Sequence, residues 1–156
     1  MADIFGNATN ETLTGTTGVD SILGGAGNDT IYGGLGNDTI SGGSVTALAS
    51  GAVDNDIIFG GGGNDIISGN RGNDSAFGGD GDDTLRGALN ETITQLTDND
   101  TLDGGAGADL LDGNSGNDSL LGSDGNDTAL GGAGARRRRW QAVSYTHLTL
   151  PTIYSV

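Results

Sequence analysis

The chain has 156 residues, among them 32 glycines and 21 acidic residues against only six basic ones, and its formal net charge is −15. This excess of acid excludes the basic surface that nucleic-acid binding requires, and it favours cations as ligands. The chain has no cysteine and therefore no disulfide, and it lacks the run of about 18 apolar residues that a membrane-spanning helix needs.

The first segment in chain order is residues 1–14, which we interpret as a degenerate N-terminal cap. It holds Glu11 and Leu13 at the spacing of the acidic and aliphatic positions in the repeats that follow. Residues 1–20 lack a basic start followed by an apolar run, so we expect no cleavable signal peptide.

A nine-residue period then occupies residues 15–135. Its frame is Gly-Gly-x-Gly-x-Asp-x-U-x, in which U is a large aliphatic residue. The repeats form three blocks, at about 15–41, 51–86 and 95–135. Between the blocks, residues 42–50 lack the acid and residues 87–94 are one residue short of nine. Five copies fit every fixed position, and they span residues 24–32, 33–41, 60–68, 78–86 and 104–112.

Each repeat divides into a six-residue loop and a three-residue strand. Glycine at the first, second and fourth positions permits positive φ at no steric cost, which lets a tight loop turn its carbonyls inward. The aliphatic eighth position alternates with polar neighbours, as a half-buried strand requires. The predicted inward residues are Ile22, Ile31, Ile40, Ile58, Ile67, Leu85, Leu102, Leu111 and Leu120, with the small Ala76 and Ala129.

The sixth position supplies the candidate metal ligands. It holds Asp20, Asp29, Asp38, Asp56, Asp65, Asp74, Asp83, Asp100, Asp109, Asp118 and Asp127. Two loops and two strands close one turn of a coil, so equivalent residues lie eighteen apart in sequence and about 4.8 Å apart in space. Six acid pairs have this spacing, namely Asp20/Asp38, Asp38/Asp56, Asp56/Asp74, Asp65/Asp83, Asp100/Asp118 and Asp109/Asp127.

Carboxylates at that separation repel one another, and a divalent cation between them reverses the sign of the interaction. The ligands on offer are all oxygen atoms, from carboxylates and loop carbonyls. Calcium accepts six to eight such ligands in flexible geometry, whereas magnesium demands a tight octahedron. The sequence therefore predicts several Ca2+ ions, roughly six at one per pair. Without them we expect a disordered or loose chain, so that calcium binding is part of folding.

This nonapeptide resembles the repeat of the RTX (repeats-in-toxin, haemolysin-type) calcium-binding family over about 120 residues. The resemblance implies an all-β fold, a right-handed parallel β-roll, with the sixth-position aspartates as side-chain ligands. It also implies a secreted, extracellular bacterial protein that leaves the cell through a type I exporter and folds when it meets calcium outside. The ligand assignment is weaker for Asp29, whose partner position holds Ala47, and for Asp74 and Asp83 near the short segment.

Residues 136–156 depart from every trend of the repeats, and we interpret them as a non-native tail. They hold four consecutive arginines, the only tryptophan and the only histidine, His147. Residues 143–156 resemble the translation of a sequencing adapter. The arginines are therefore not interpreted as a nucleic-acid signal, nor His147 as a ligand. Residues 1–135 alone have two basic and 21 acidic residues, a net charge of −19.

Two other interpretations fit a repeat module of this kind. The chain is a non-catalytic fragment of a larger secreted enzyme, such as a protease, lipase or polysaccharide-modifying enzyme, or it belongs to an adhesin. Residues 1–135 contain no cysteine, lysine or histidine and supply no catalytic set, so we expect no enzyme activity from them. An adhesive face would need regular outward ranks of threonine, and Tyr32 after Thr30 and Arg86 after Thr84 interrupt such ranks.

Overall fold

The structure, a computed structural model, describes residues 1–43, 54–88 and 98–132 and the backbone alone of residues 142 and 143. All regular structure among these residues is β-strand. From β2 to β13 the strands begin at the seventh position of the nonapeptides, where threonine, serine or an aliphatic residue suits an extended backbone. No described residue belongs to a helix long and apolar enough to cross a membrane. The strands are β1 (Asp3–Phe5), β2 (Thr12–Thr14), β3 (Ser21–Gly25), β4 (Thr30–Leu35), β5 (Thr39–Gly43), β6 (Ile57–Gly62), β7 (Ile66–Ser68), β8 (Ser75–Asp80), β9 (Thr84–Arg86), β10 (Thr101–Ala106), β11 (Leu110–Asp112), β12 (Ser119–Asp124), β13 (Thr128–Leu130) and β14 (Ala142–Val143).

The strands form two parallel sheets because the chain changes sides after every loop. The odd sheet contains β1, β3, β5, β7, β9, β11 and β13 in that order. The even sheet contains β2, β4, β6, β8, β10, β12 and β14 in that order. Pairing joins equivalent positions of the frame, so that Ile22 of β3 lies beside Ile40 of β5. The aliphatic eighth positions of each sheet therefore form one column on its inner face. This confirms the predicted all-β fold, a parallel β-roll.

The register between neighbouring strands is not constant along the roll. Ser21 pairs with Thr39, eighteen residues on, as predicted. From β5 to β7 the step is 27 residues, since Thr39 pairs with Ile66. From β9 to β11 it is 26 residues, since Thr84 pairs with Leu110. The segments that follow β5 and β9 therefore hold nine and eight residues beyond a standard loop, and their central parts, 44–53 and 89–97, lie outside the described residues.

The outer face of the even sheet shows the same register in a row of aromatic rings. The rings of Tyr32 and Phe59 stack with centroids 5.1 Å apart, and those of Phe59 and Phe77 stack 5.0 Å apart. Tyr32 and Phe59 are 27 residues apart in sequence, so they become neighbours only because the segment after β5 carries the additional residues.

A column of aliphatic side chains from each sheet forms the core. The buried apolar residues are Ile22, Ile31, Ile40, Ile58, Ile67, Ala76, Leu85, Leu102, Leu111 and Leu120. Ala129, also predicted to point inward, is partly buried against this cluster, as are Ile4 and Leu13 of the cap. The prediction for the eighth position is thus confirmed. Each large aliphatic residue contributes about 1.5–3 kcal/mol by leaving water.

Adjacent isoleucines of β6 allow a matched test of this core. Ile58 is fully buried, whereas 44% of Ile57 is exposed. We expect Ile58→Ala to lower the free energy of unfolding of the calcium-bound chain by about 2–5 kcal/mol, because it leaves a cavity between the sheets. Ile57→Ala should change it by about 0.5 kcal/mol or less. Urea unfolding in saturating calcium measures both, and equal losses would contradict the assignment of the inner face.

Candidate metal centre

The sixth-position aspartates lie along the two edges of the roll, where the chain passes between the sheets. Loops from the odd to the even sheet form the first edge, and loops in the opposite direction form the second edge. All eleven aspartates are buried, with 1–7% of each residue exposed. The first edge holds Asp29, Asp56, Asp74, Asp100 and Asp118, and the second edge holds Asp20, Asp38, Asp65, Asp83, Asp109 and Asp127.

One carboxylate oxygen of each aspartate is bound to the backbone of the preceding coil. The N–H of Asp56 donates to Oδ1 of Asp74 at 2.8 Å, and the N–H of Asp65 donates to Oδ1 of Asp83 at 2.8 Å. The same bond recurs from Asp20 to Asp38, Asp29 to Asp56, Asp38 to Asp65, Asp74 to Asp100, Asp83 to Asp109, Asp100 to Asp118 and Asp109 to Asp127. These bonds fix each side chain in a ladder that runs along the edge.

The other carboxylate oxygen is buried without a hydrogen-bond donor. Burying a carboxylate without a partner costs several kcal/mol, so such an oxygen indicates a missing proton or a cation. Among the described sixth-position residues, this holds for Oδ2 of Asp29, Asp38, Asp56, Asp65, Asp74, Asp83, Asp100, Asp109, Asp118 and Asp127.

The first-position glycines leave the space in which this oxygen lies. A Cβ added to Gly33 would lie 2.7 Å from Oδ2 of Asp38 and 2.5 Å from the carbonyl oxygen of Gly60 in the next coil. These two oxygens are therefore at most 5.2 Å apart, a span that one calcium ion with contacts of 2.3–2.6 Å can bridge. Both oxygens are hard donors, so the local geometry fits calcium.

The three glycine positions have different roles. At most described second- and fourth-position glycines φ is positive, as at Gly34 (114°) and Gly36 (110°), which confirms the conformational prediction there; Gly18 and Gly43 are exceptions. The first-position glycines, such as Gly33, do not have positive φ. That part of the prediction is wrong, because glycine is required there by the close approach of the carboxylate and of the neighbouring carbonyl.

Burial raises the pKa of most of these carboxyls. It is the largest cause at Asp56, and the charges of Asp54 and Asp29 add to it, so that the pKa of Asp56 rises to about 7. For the same leading reason the pKa rises to about 6 at Asp65, to about 7 at Asp83 and Asp100 and to about 9 at Asp74. The row therefore carries an unfavourable negative charge that a cation would relieve.

A comparison with protein families gives this geometry a context. A family model of the RTX calcium-binding nonapeptide repeat, in four copies, matches residues 5–44, 50–85, 87–120, 94–129 and 112–135. The chain belongs to the RTX calcium-binding repeat family. Among curated proteins, no relative matches it. RTX repeats bind calcium. This agrees with the chemistry of the two edges, where the buried atoms that could ligate a metal are carboxylate and carbonyl oxygens.

The ladder confirms five of the six predicted acid pairs and corrects the sixth. The pairs Asp20/Asp38, Asp56/Asp74, Asp65/Asp83, Asp100/Asp118 and Asp109/Asp127 are neighbours as predicted. The pair Asp38/Asp56 is wrong, because the two residues lie on opposite edges. Because β5 pairs with β7 and β4 pairs with β6, Asp38 is beside Asp65 and Asp56 is beside Asp29.

The two changes of register identify the neighbours of the three residues whose ligand assignment was weaker. The neighbour of Asp29 is Asp56, so the expected partner position at Ala47, which lies outside the described residues, is wrong. Asp74 is followed by Asp100, 26 residues on. Asp83 is likewise followed by Asp109.

The first loops of the roll differ from those that follow. Oδ1 of Asp20 accepts the N–H of Ala2, and Oδ2 accepts both the N–H and the hydroxyl of Thr16, at 2.6 and 2.7 Å. The Thr16 side chain is the largest influence on the pKa of Asp20, which is lowered. Glu11 likewise accepts hydrogen bonds from the backbone and side chain of Asn7. In these RTX loops, protein donors occupy the oxygens that are unpaired elsewhere.

The sequence analysis missed two further sets of side chains. Fifth-position asparagines form their own exposed ladder, in which the N–H of Asn55 donates to Oδ1 of Asn28 and that of Asn73 to Oδ1 of Asn55. The recurrence of asparagine before the aspartate was the signal for it.

Asp54, at a fourth position, is also buried and has an unpaired Oδ2. Nowhere in the described ranges do three acidic or histidine side chains gather at one point, so an ion at these edges needs backbone or amide oxygens as well.

The raised pKa values predict that acid stabilises the metal-free roll. The unfolded carboxyls have a pKa near 3.8, whereas the folded pKa is about 6 at Asp65, about 7 at Asp56, Asp83 and Asp100 and about 9 at Asp74. Folding then takes up protons, so this contribution is fully present below about pH 4 and is lost as the pH rises through about 6 to 9. Circular dichroism in calcium-free buffer should show more β-structure at pH 4 than at pH 8.

The control for this experiment is light scattering at each pH, because the sequence pI of about 4.1 favours association in acid. Monomeric samples with more β-structure at pH 8 than at pH 4 would contradict the assignment of protonated, buried carboxyls.

Proposed function

We propose that this chain is the calcium-binding module of a secreted bacterial protein, and that calcium binding folds it after export. The observation that carries the proposal is the row of buried, unpaired Oδ2 atoms along both edges. A folded roll without cations would hold these charges, or their protons, at a cost in free energy. Ions that bind the folded chain and not the unfolded one shift the equilibrium towards the roll.

The proposed ions lie between successive loops of one edge, each in contact with carboxylates or carbonyls of two coils. Unpaired oxygens bound four such gaps on each edge, which gives eight gaps among the described residues rather than the six expected from spacing alone. On the first edge the gaps are Asp29/Asp56, Asp56/Asp74, Asp74/Asp100 and Asp100/Asp118. On the second edge they are Asp38/Asp65, Asp65/Asp83, Asp83/Asp109 and Asp109/Asp127. Divalent ions in all eight gaps would add sixteen positive charges against the net charge of −19 that residues 1–135 carry.

Asp20 has a different role in this proposal. Thr16 and Ala2 supply donors to both of its oxygens, so it needs no ion to remain buried. Together with Glu11 it provides a first coil that is already satisfied by protein contacts. We propose that this first coil forms a metal-independent end on which the calcium-dependent coils stack.

The proposal that the protein is secreted through a type I exporter is supported by its membership of the RTX family. RTX repeats are typical of secreted bacterial proteins, and a chain that stays unfolded without calcium suits an exporter that passes unfolded chains. The module itself is a calcium-binding structural repeat and supplies no catalytic chemistry. Any catalytic activity of a larger parent protein therefore belongs to residues other than these repeats.

Calcium titration of the full chain tests the proposed function. In excess chelator at neutral pH we expect the far-ultraviolet circular dichroism of a coil, and a β spectrum on addition of calcium. Magnesium at the same concentrations is the matched control and should have little effect, because it demands a regular octahedron. A β spectrum that is complete in chelator, or that magnesium produces equally well, contradicts the proposal.

Adjacent acids of one loop test the ligand assignment. Asp83→Asn keeps the oxygen that accepts the N–H of Asp65 but removes the charge at the unpaired oxygen. We expect the calcium concentration at half-folding to rise about tenfold, because charge count sets calcium affinity. Asp82→Asn is the control, since Asp82 is exposed and loses the same charge. If the two variants shift the midpoint equally, net charge and not ligation explains the effect.

A further inference from the structure

The loop between β5 and β6 differs from the standard repeat at its fourth position. Glycine stands there in most loops, for example at Gly27 and Gly72, whereas this loop has Asp54. Only 1% of Asp54 is exposed. Its Oδ1 accepts the N–H of Gly27 in the preceding coil at 2.6 Å, and its Oδ2 has no partner. A carboxylate that served only to cap Gly27 would not require its second oxygen to be buried.

The unpaired oxygens of Asp54 and Asp56 approach neighbouring residues at the end of β5. A Cβ added to Gly43 would lie 2.5 Å from Oδ2 of Asp54, and a Cβ added to Gly42 would collide with Oδ2 of Asp56. The Cα atoms of consecutive residues are about 3.8 Å apart. Two unpaired carboxylate oxygens therefore lie beside consecutive residues of β5, whereas a standard loop places one there.

A third unpaired oxygen comes from the next coil. Asn70 is 5% exposed, and its Cβ lies 3.7 Å from the position that a Cβ on Gly43 would occupy. Its amide nitrogen donates to the carbonyl oxygens of Gly43 at 3.1 Å and Ser68 at 3.4 Å, which fixes the orientation of the amide. The amide oxygen, bonded to the same carbon, is buried without a donor. An amide oxygen is an ordinary calcium ligand.

The electrostatics of this loop are unfavourable without a cation. Burial raises the pKa of both carboxyls, and the charge on Asp54 adds to the rise at Asp56. The nearby guanidinium of Arg71 acts in the opposite sense on Asp54, but burial outweighs it. Two like charges that share a buried loop favour a divalent ion more strongly than one does.

The arrangement recurs once, in the loop between β9 and β10, which also follows a lengthened segment. Asp98 occupies the fourth position there and accepts the N–H of Gly72 at 3.2 Å. Asn114 of the next coil donates to the carbonyl of Ala88 at 2.8 Å, as Asn70 does to Gly43. Asp98 and Asn114 are only partly buried, and neither has a buried oxygen without a partner, so the second copy reproduces the residue types and not the unpaired oxygens. Recurrence of both residue types indicates a built feature of these lengthened loops.

We propose that the Asp56/Asp74 gap holds a calcium ion with two carboxylates, Asp54 and Asp56, and the amide oxygen of Asn70, and that this ion binds more tightly than those in the other gaps. The inference rests on the proposed calcium-binding function and adds a ligand set that the nonapeptide frame does not contain. The ion of this site binds first as the calcium concentration rises, so it orders the coil that begins after residues 44–53.

The test counts calcium ions bound per chain by equilibrium dialysis over a range of free calcium. We expect the wild-type chain to hold one ion at free calcium about tenfold below the level that fills the other gaps. Asp54→Asn should lose this tight ion and keep the remaining ones. Asp80→Asn is the matched control, because Asp80 is an exposed acid at the third position of another loop. It should keep the tight ion.

Two further variants keep the test decisive if Asp54→Asn does not fold. Asp54→Gly and Asn70→Gly each install the residue that the frame normally has, and glycine suits the φ of 81° at Asn70. Both should reach the wild-type β signal in saturating calcium and lack the tight ion. If these variants and Asp80→Asn bind calcium alike, the two-carboxylate site is overturned while the calcium-binding function stands. If the wild-type chain binds no calcium, the proposed function itself fails.

Discussion

In the part of the chain that the structure describes, the second carboxylate oxygen of ten sixth-position aspartates lies buried without a hydrogen-bond donor. The first oxygen is held by the backbone of the neighbouring coil, so the side chain cannot turn away to water. Each coil therefore carries a charge that the coil alone cannot satisfy. The rest of the structure depends on how that charge is neutralised, by a proton in acid or by a shared cation at neutral pH.

Several features of the repeat follow from this constraint. The first position requires glycine because the unpaired carboxylate oxygen and a carbonyl of the next coil both approach its Cα, as at Gly33. Most described second and fourth positions have positive φ, and asparagine tolerates this conformation better than most residues, so Asn70 and Asn114 can replace glycine at the second position. The eighth position contributes one aliphatic side chain to a narrow core. Since that core is only two columns wide, the edges have an unusually large share in holding the coils together.

The sequence predicted the fold and most of the ladder because both follow from local periodicity. The eighth positions are buried and the sixth positions form rows, as the nine-residue frame indicates. Periodicity could not predict register across the lengthened segments. Residues 42–50 keep the length of a repeat, so counting placed Asp38 beside Asp56, whereas a nine-residue addition within one loop leaves them on opposite edges. The structure resolves this because strand pairing, unlike counting, depends on which segments form a strand.

The nonapeptide frame could not predict the roles of Asp54 and Asn70, for a different reason. Each replaces a glycine, and a consensus treats such a replacement as degeneration of the repeat. Their unpaired oxygens become visible only when loops of neighbouring coils are brought together. Asp20 is the opposite case, since it matches the frame but Thr16 already donates hydrogen bonds to its second carboxylate oxygen. In a repeat of this kind, the contacts of a side chain decide its role more reliably than its position in the consensus.

Long-wavelength X-ray diffraction of calcium-grown crystals tests the central claim most directly, because the anomalous signal locates calcium atoms independently of the protein. The account predicts peaks between successive loops along both edges, each within about 2.6 Å of an aspartate Oδ2 that otherwise has no partner. A folded, calcium-saturated roll in which those oxygens contact only protein or water would contradict it.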